Sequence, residues 1–401
     1  MSVKSAPRIS QLSNWAVISL FFLAIASPSL RMLASPTTTR WSASENRMLA
    51  AMPSAPKSIR DFTVWRTGID NFLNDHFGFR ERYIGHYQRE TMRLFNVIST
   101  SVPVLKGLDG WYFFTMFGLI DDFYGRMPLS DTELQAWVTA QEAKKRWLNE
   151  RGIRYLLFIP PNKQSIYPQM LAANALKERG QSRYDQLLAK MGGHTPDFMP
   201  DVRHILSAYA AKPSSPPLYY QTDTHWNDLG AYLAFQETMK KLSAWFPDAG
   251  FKTDFRIIPQ VTERGGNTGR GGDLAMMMMR RDLRETYPKL APINRGYTRE
   301  PLPCPISDLP RQPDRPSYMT RLTDADAQAD GKPKALVFRD SFFVPMEQLF
   351  SENFSEVLYL WKSYDQKDVE EALQCFKPDV VIEETLERHM FDFLLEPEKK
   401  P

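Results

Sequence analysis

The sequence predicts an α/β fold, a parallel β-sheet flanked by helices, in which an Asp/His motif precedes a serine along the chain. Three observations carry this expectation. From about residue 130 onward, short apolar runs alternate with segments of helical spacing, the order in which strands and covering helices build a parallel sheet. The runs are nearly continuous in apolar residues, as strands buried on both faces are. Chemistry-bearing residues fall just after two of them, at the carboxyl edge where open α/β sheets hold their ligands.

The elements follow in order. Lys4 and Arg8 precede Trp15 to Ala26, a run of apolar or small residues whose only hydroxyl is Ser19. A basic flank and a short apolar centre mark a secretory signal, and Ala24-Ile25-Ala26 offers a cleavage site. A spanning helix needs roughly 20 apolar residues, and extending the run through Leu33 takes in Arg31. Residues 1–30 are therefore expected to be a signal peptide or an N-terminal membrane anchor, and residues 31–60, rich in Ser, Pro, Thr and Ala, a tether. Residues 61–401 are expected to form the catalytic domain. Near its start, Asp75-His76-Phe77-Gly78-Phe79-Arg80 looks chemical, but a lone histidine beside a Phe-Gly-Phe turn reads as packing or capping.

Ser130 and Glu133 form a capping box opening a helix that runs to about Arg151, with Gly152 as its stop. Arg154 to Ile159 is the first expected strand; Pro217 to Tyr220, Ala335 to Phe338, Glu356 to Trp361 and Asp379 to Glu383 are the others, with a helix over Lys367 to Phe376. About 251–331 reads as an irregular insertion holding a glycine-rich loop from Gly265 to Asp273, a Met276 to Met279 run and a proline-rich stretch to Arg315. Excursions of this kind often serve as lids or binding loops.

Composition excludes several functions. Fifty Lys and Arg against 47 Asp and Glu leave a net charge of +3, no electrostatic footprint for nucleic acid. The glycine-rich loop lacks the Gly-Lys-Ser/Thr ending of a phosphate cradle, and its Arg264 and Arg270 are candidates only for touching an anionic sugar. Two cysteines, Cys304 and Cys375, are too few for a cysteine-rich zinc site; they are either a disulfide or two buried thiols. No cofactor is implied.

The chemistry concentrates in Thr222-Asp223-Thr224-His225-Trp226 and in Arg339-Asp340-Ser341-Phe342. On an extended segment, Asp223 and His225 point to the same side, and Asn227 and Asp228 suit the N-terminus of a following helix. Asp223, His225 and Asp228 could also ligate a cation, but no second histidine cluster supports this, and no metal is expected. Ser341 follows an apolar run, where backbone amides at a helix start could hold an oxyanion, and Asp340 could orient the turn. A serine needs an imidazole to take its proton, and the imidazole needs a carboxylate. All three parts are present, so acyl transfer or ester hydrolysis leads.

The chain resembles the AlgJ/AlgX group of polysaccharide O-acetyltransferases, which have an SGNH-hydrolase-like domain. The matching pieces run in order: Ser44-Glu45-Asn46-Arg47, the Asp75 to Arg80 cluster, Gly107-Leu108-Asp109-Gly110-Trp111-Tyr112-Phe113, Ile159-Pro160-Pro161-Asn162-Lys163, Asp223-Thr224-His225-Trp226, Gly272-Asp273-Leu274, Arg339-Asp340-Ser341-Phe342, and Pro378-Asp379-Val380-Val381 with Glu384 and Arg388. Only some sixty residues follow Ser341 and they read as βαβα, so the chain looks closer to AlgJ. The resemblance implies that Ser341 is the nucleophile, His225 the base and Asp223 its orienter. It further implies a periplasmic enzyme, tethered or free, that acetylates an exopolysaccharide such as alginate, supplied by a membrane-bound O-acyltransferase within an assembly complex. Asn162, Trp226 and Arg339 are candidate substrate-binding residues; Arg339 stands where ordinary SGNH esterases have glycine. The rivals are a secreted carbohydrate acetylesterase with the same triad and a non-catalytic polysaccharide-binding or assembly component.

Overall fold

The computed structural model describes residues 8–34, 41–42, 47–98, 102–263, 272–280, 283–291, 296–307, 309, 316–323 and 331–395. Ser44 to Asn46, Arg264, the glycines from 265 to 271 with Arg270, and Pro310 and Pro313 lie outside them, as do the expectations attached to those residues. The chain divides into two compact units, Met1–Val102 with Ala275–Arg281, and Pro103–Leu274 with Asp282–Pro401.

The first unit is helical. Helix α1 spans Arg8–Leu33, and its stretch Ser13–Leu33 has a mean hydropathy of 1.8, long and apolar enough to cross a membrane. Helices α2 (Phe62–His76) and α3 (Arg80–Phe95) are joined by a tight turn in which Phe79 adopts a left-handed conformation (φ 62°). The Asp75–His76 pair clamps the preceding chain. The Asp75 carboxylate accepts from Ala50 N at 2.7 Å, and His76 Nε2 lies 2.9 Å from the Ala50 carbonyl. This is packing, as the sequence suggests.

The second unit is built on a six-stranded sheet. Its strands are β1 (Arg154–Phe158), β4 (Tyr297–Glu300), β5 (Tyr318–Leu322), β6 (Lys334–Phe338), β7 (Glu356–Leu360) and β8 (Val380–Glu384); β2 (Ile257–Glu263) and β3 (Glu285–Leu290) pair separately as an antiparallel hairpin. The spatial order is β1-β8-β6-β7-β5-β4. The first four run parallel. The last two are antiparallel additions at one edge. The sheet is therefore mixed rather than parallel throughout, and the stretch read as an irregular insertion supplies the two added strands and the hairpin. An edge strand bonds on one side only, so it accepts either direction, and antiparallel pairing is slightly the more stable per residue.

Side-chain alternation explains the continuous apolar runs. Leu156, Phe158, Val337 and Tyr359 face one core, against Phe235, Met239 and Leu242 of a helix over Asp228–Trp245. Tyr155, Leu157, Leu336 and Phe338 face the other, against Trp137 and Leu148 of the helix Asp131–Asn149 and Val369 of the helix Gln366–Ala372. Both faces of each central strand are dry, so every position favours an apolar side chain. The capping box at Ser130 is present, with the Ser130 hydroxyl accepting from Glu133 N and the Glu133 carboxylate accepting from Ser130 N. Of the methionine run, Met277 and Met278 are buried.

One expected strand is absent. Pro217 to Tyr220 does not join the sheet; Tyr219 makes only an isolated bridge with Trp226. The chain doubles back on itself, Asn227 N donating to the Leu218 carbonyl and Tyr220 N to that of His225, while Leu218 N donates to the Tyr167 hydroxyl at 2.8 Å, so these backbone groups are paired without a sheet.

Cys304 and Cys375 form a disulfide across a sequence separation of 71, so the two thiols are not free. Closing a loop of that length should stabilise the fold by about 4 kcal/mol in the chain-entropy account. Cys304→Ser should therefore lower the urea midpoint of unfolding by an amount equivalent to about 2–4 kcal/mol, and reduction of the native protein should reproduce the shift. An unchanged midpoint would show that the crosslink carries no stability.

Candidate active site

The loop Gln221–Trp226 is held by buried charges from beneath. The Lys163 ammonium, 4% exposed, donates to the carbonyls of Tyr112 (2.8 Å), Gln221 (3.0 Å) and Asp223 (3.0 Å). Burial depresses its pKa to about 8, opposed by the carboxylates of Glu285, Asp223 and Asp273. On the opposite side the Glu285 carboxylate accepts from the Thr222 hydroxyl at 2.6 Å and from the Gln221 amide. Three carbonyls on one ammonium fix the backbone through positions 221 and 223 more firmly than loop hydrogen bonds alone.

Within that loop Asp223 and His225 face each other. His225 N donates to Asp223 Oδ1 at 3.0 Å, and His225 Nδ1 lies 2.6 Å from the same oxygen. The other ring nitrogen, Nε2, lies 2.8 Å from Ser341 Oγ. The structure thus brings the Asp223–His225 pair against a serine 116 positions after the histidine, with each imidazole nitrogen engaged. Burial alone would raise the Asp223 pKa, but the His225 ring and the amides donating to it outweigh burial and hold it down at about 2. Burial alone would lower the His225 pKa; the Asp223 carboxylate more than offsets this and leaves it above its ordinary value.

A second carboxylate joins the cluster. Asp273 Oδ1 accepts from Thr224 N at 2.7 Å, its other oxygen accepts from the Thr224 hydroxyl, and Asp273 N donates to Asp223 Oδ2 at 3.0 Å. Asp273 Oδ2 lies 3.7 Å from His225 Nδ1. Burial and then the neighbouring Asp223 charge raise Asp273 to about 6. The approach depends on Gly272, where an added Cβ would lie 2.3 Å from the Thr222 carbonyl oxygen and 2.5 Å from Asp223 Cβ. Asp273, Lys163 and Glu285 carry no role in the sequence reading. The only signal for the first two is their place in the Gly272-Asp273-Leu274 and Ile159 to Lys163 pieces, and Glu285 has none.

Asp223, His225 and Asp273 could together offer ligand atoms to a cation, lying within 4.8 Å of one another. Capture of Nδ1 by a metal would break its 2.6 Å contact with Asp223. Asp228, the third ligand considered from the sequence, is not among them; it accepts instead from Leu290 N at 2.8 Å.

The serine turn differs from expectation in two respects. Ser341 lies in a bend ahead of a 3₁₀ turn, Val344–Met346, and not at the first turn of a helix. The Phe342 amide donates to Asp340 Oδ1 at 2.7 Å, so it is not free for an oxyanion; Asp340 orients the turn, and Glu384 holds Asp340 N at 2.7 Å. Of the three residues expected to touch substrate, Arg339 borders the cavity beside the turn, while Trp226 and Asn162 do not line it. Trp226 is fully buried, its indole N–H donating to the Phe342 carbonyl at 2.9 Å, so it ties the histidine loop to the serine turn. Arg339, 2% exposed, points into the protein, with Nη2 2.7 Å from Glu347 and 3.1 Å from the Pro316 carbonyl, which it reaches as donor. Asn162 is buried, its backbone N–H donating to Glu387 at 2.6 Å, and no hydrogen bond links it to His225 or Ser341. A cavity of about 550 Å³ borders the turn, lined in part by Arg339, Asp340, Trp361, Tyr364, Glu384 and Phe393.

An α/β sheet with a carboxylate, an imidazole and a serine in hydrogen-bonding line is the arrangement of several serine-dependent classes, the SGNH-hydrolase-like proteins among them. Residues 104–302 match the family model described as the SGNH hydrolase-like domain of acetyltransferase AlgX, a span that holds Asp223, His225 and Asp273 and ends before Ser341. That match places an AlgX-type SGNH hydrolase-like domain over residues 104–302. It is 28% identical over 131 residues to a probable alginate O-acetylase AlgJ of Pseudomonas aeruginosa, covering 32% of this chain and 30% of that protein's length. Among solved structures it is similar to the O-acetyltransferase domain of Pseudomonas putida AlgJ (18% identity, TM-score 0.41, 74% of this chain and 94% of that one). It is also similar to Bacillus cereus PatB1 (15%, 0.47, 72% and 98%) and Pseudomonas aeruginosa AlgX (16%, 0.41, 71% and 61%).

Asp273→Asn removes one of the charges that raise His225. The His225 titration, followed by its imidazole NMR signals, should move to lower pH, while Lys163→Met should broaden those signals by loosening the loop. An unmoved titration in Asp273→Asn would remove Asp273 from the electrostatics of the site.

Proposed function

We propose that this chain is a serine O-acetyltransferase that passes an acetyl group through Ser341 onto hydroxyls of an exopolysaccharide of the alginate kind. The observation that carries the reading is the unbroken line Asp223 Oδ1–His225 Nδ1–His225 Nε2–Ser341 Oγ, at 2.6 and 2.8 Å. The partial match to AlgJ and the AlgX-type domain support acetyl transfer over other serine chemistry.

In this account Ser341 Oγ attacks the acetyl carbonyl of the donor while His225 Nε2 takes its proton. Asp223 keeps the Nδ1 proton in place and stabilises the imidazolium. The tetrahedral oxyanion takes the Ser341 amide, which has no hydrogen-bond partner among the described residues. Collapse expels the donor's leaving group, protonated by His225, and leaves acetyl-Ser341. A sugar hydroxyl then attacks, His225 removes its proton, and collapse returns Ser341 with the acetyl ester on the sugar. The cavity beside Asp340 gives an acceptor room next to the serine turn. The donor side belongs to a membrane-bound O-acyltransferase, and the reaction to the periplasm, with α1 as signal or anchor.

Ser341→Ala should abolish covalent acetylation by an activated acetyl ester, read by mass spectrometry, and His225→Ala should slow it at least a thousandfold, the order seen when triad members are removed. An acetyl adduct that persists elsewhere in Ser341→Ala would sink the assignment. Acetyl transfer requires neutral His225, so the rate should rise with pH through a midpoint above the ordinary histidine value, because the pKa is raised. A pH-independent rate would remove His225 as the base.

A further inference from the structure

The Asp75 to Arg80 segment and the outer side of α3 play no part in acyl transfer. On α3, Tyr83, Tyr87 and Leu94 are 51%, 61% and 64% exposed and recur at i, i+4 and i+11, so they share one face. Arg82, Arg89 and Arg93, all exposed, form a neighbouring stripe, each one position earlier than that face requires or at the matching turn. The helix carries four arginines against two glutamates, one of which, Glu90, pairs with Arg93 at 3.4 Å. Tyrosines and leucine in line beside arginines are the pattern of a helix lying in a lipid headgroup region.

The turn before α3 connects this face to the apolar helix. A Cβ added at Gly78 would lie 2.1 Å from the Pro28 carbonyl oxygen, so the Phe77-Gly78-Phe79 turn rests on the backbone of α1. Pro28 is five residues before the end of α1 at Leu33. At 1.5 Å per residue that is about 7.5 Å from the helix end. The headgroup layer on each side of a bilayer is about 5–7 Å deep. With the end of α1 at the outer edge of that layer, a turn seated at Pro28, with Phe77 47% exposed, lies where headgroups meet hydrocarbon.

We propose that α1 is retained as a membrane span, and that the Phe77-Gly78-Phe79 turn with the Tyr83, Tyr87 and Leu94 face of α3 lies in the headgroup layer of the same bilayer, the arginine stripe meeting anionic lipid. The surface is lipid-binding, and its occupant is the bilayer that α1 enters.

The test uses the full chain in vesicles of phosphatidylethanolamine and phosphatidylglycerol without other proteins. A nitroxide is attached at Tyr87→Cys, with Leu20→Cys in α1 as the lipid reference, and relaxation by oxygen is compared with relaxation by an aqueous nickel complex. The Tyr87 label should be shielded from nickel, severalfold relative to a free nitroxide, and lie shallower than the Leu20 label. Adding Arg82→Glu, Arg89→Glu and Arg93→Glu should restore nickel access at Tyr87 and leave the Leu20 label buried. Gly78→Val should do the same by unseating the turn. A Tyr87 label as open to nickel as free nitroxide overturns the proposal. So does shielding that appears only when native membrane proteins are added, which would make the occupant a protein. A membrane-extracted chain whose N-terminus follows Ala26 overturns it as well.

Discussion

The site rests on the buried carboxylate of Asp223. An ionised group in a dry loop is tolerated only when its lone pairs are taken by donors. Asp223 has His225 N, the Nδ1 side of the same ring, and Asp273 N. These contacts hold the carboxylate charged, and the charge in turn sets the tautomer and raises the basicity of the imidazole that faces Ser341. The geometry of the serine thus depends on a charge that the loop could not hold without its other partners.

Those partners come from far along the chain. Lys163 follows the first strand of the sheet, Asp273 follows the residues from 264 to 271, and Glu285 opens a strand of the separate hairpin. Each touches the Gln221–Trp226 loop by a different route: the lysine through carbonyls, Glu285 through the Gln221 amide and the Thr222 hydroxyl, Asp273 through Thr224 and Asp223. The loop takes no part in the six-stranded sheet; its ladder is a single bridge between Tyr219 and Trp226 and one bond from Tyr112 N to the Gln221 carbonyl. Buried charge takes the place of a β-ladder here, which is why a catalytic-type arrangement can sit on a segment without regular secondary structure.

The histidine loop and the serine turn meet through Trp226, Phe342 and Asp340. The indole donates to the Phe342 carbonyl, Asp340 accepts from the Phe342 amide, and the His225 and Phe342 rings lie 4.7 Å apart. Aromatic packing from Phe158 on the sheet against Trp226 and against Phe343 of the serine turn supports this junction. Trp226, which looks like a ligand contact because it adjoins the base in sequence, is instead a structural tie between the two segments. Neighbours of a functional residue alternate in direction, so adjacency in sequence says little about which one faces the substrate.

By itself, the sequence determined the α/β class, because strands dry on both faces must be written as continuous apolar runs; it determined the capped helix at Ser130, because local hydrogen bonds follow from residue type and spacing. It also presented Asp223, His225 and Ser341 as complementary chemical parts, and Cys304 with Cys375 as a possible pair. Only the tertiary structure decided that the three parts lie within hydrogen-bonding distance, that the cysteines meet, that two strands of the supposed insertion extend the sheet antiparallel, and that Arg339 and Trp226 turn inward. It also supplied Lys163, Glu285 and Asp273, which no local pattern distinguishes from surface charges. The reason is physical: periodicity and capping are interactions between near neighbours and are written in the order of the residues, whereas the pairing of a buried charge depends on which distant segment the sheet brings against it.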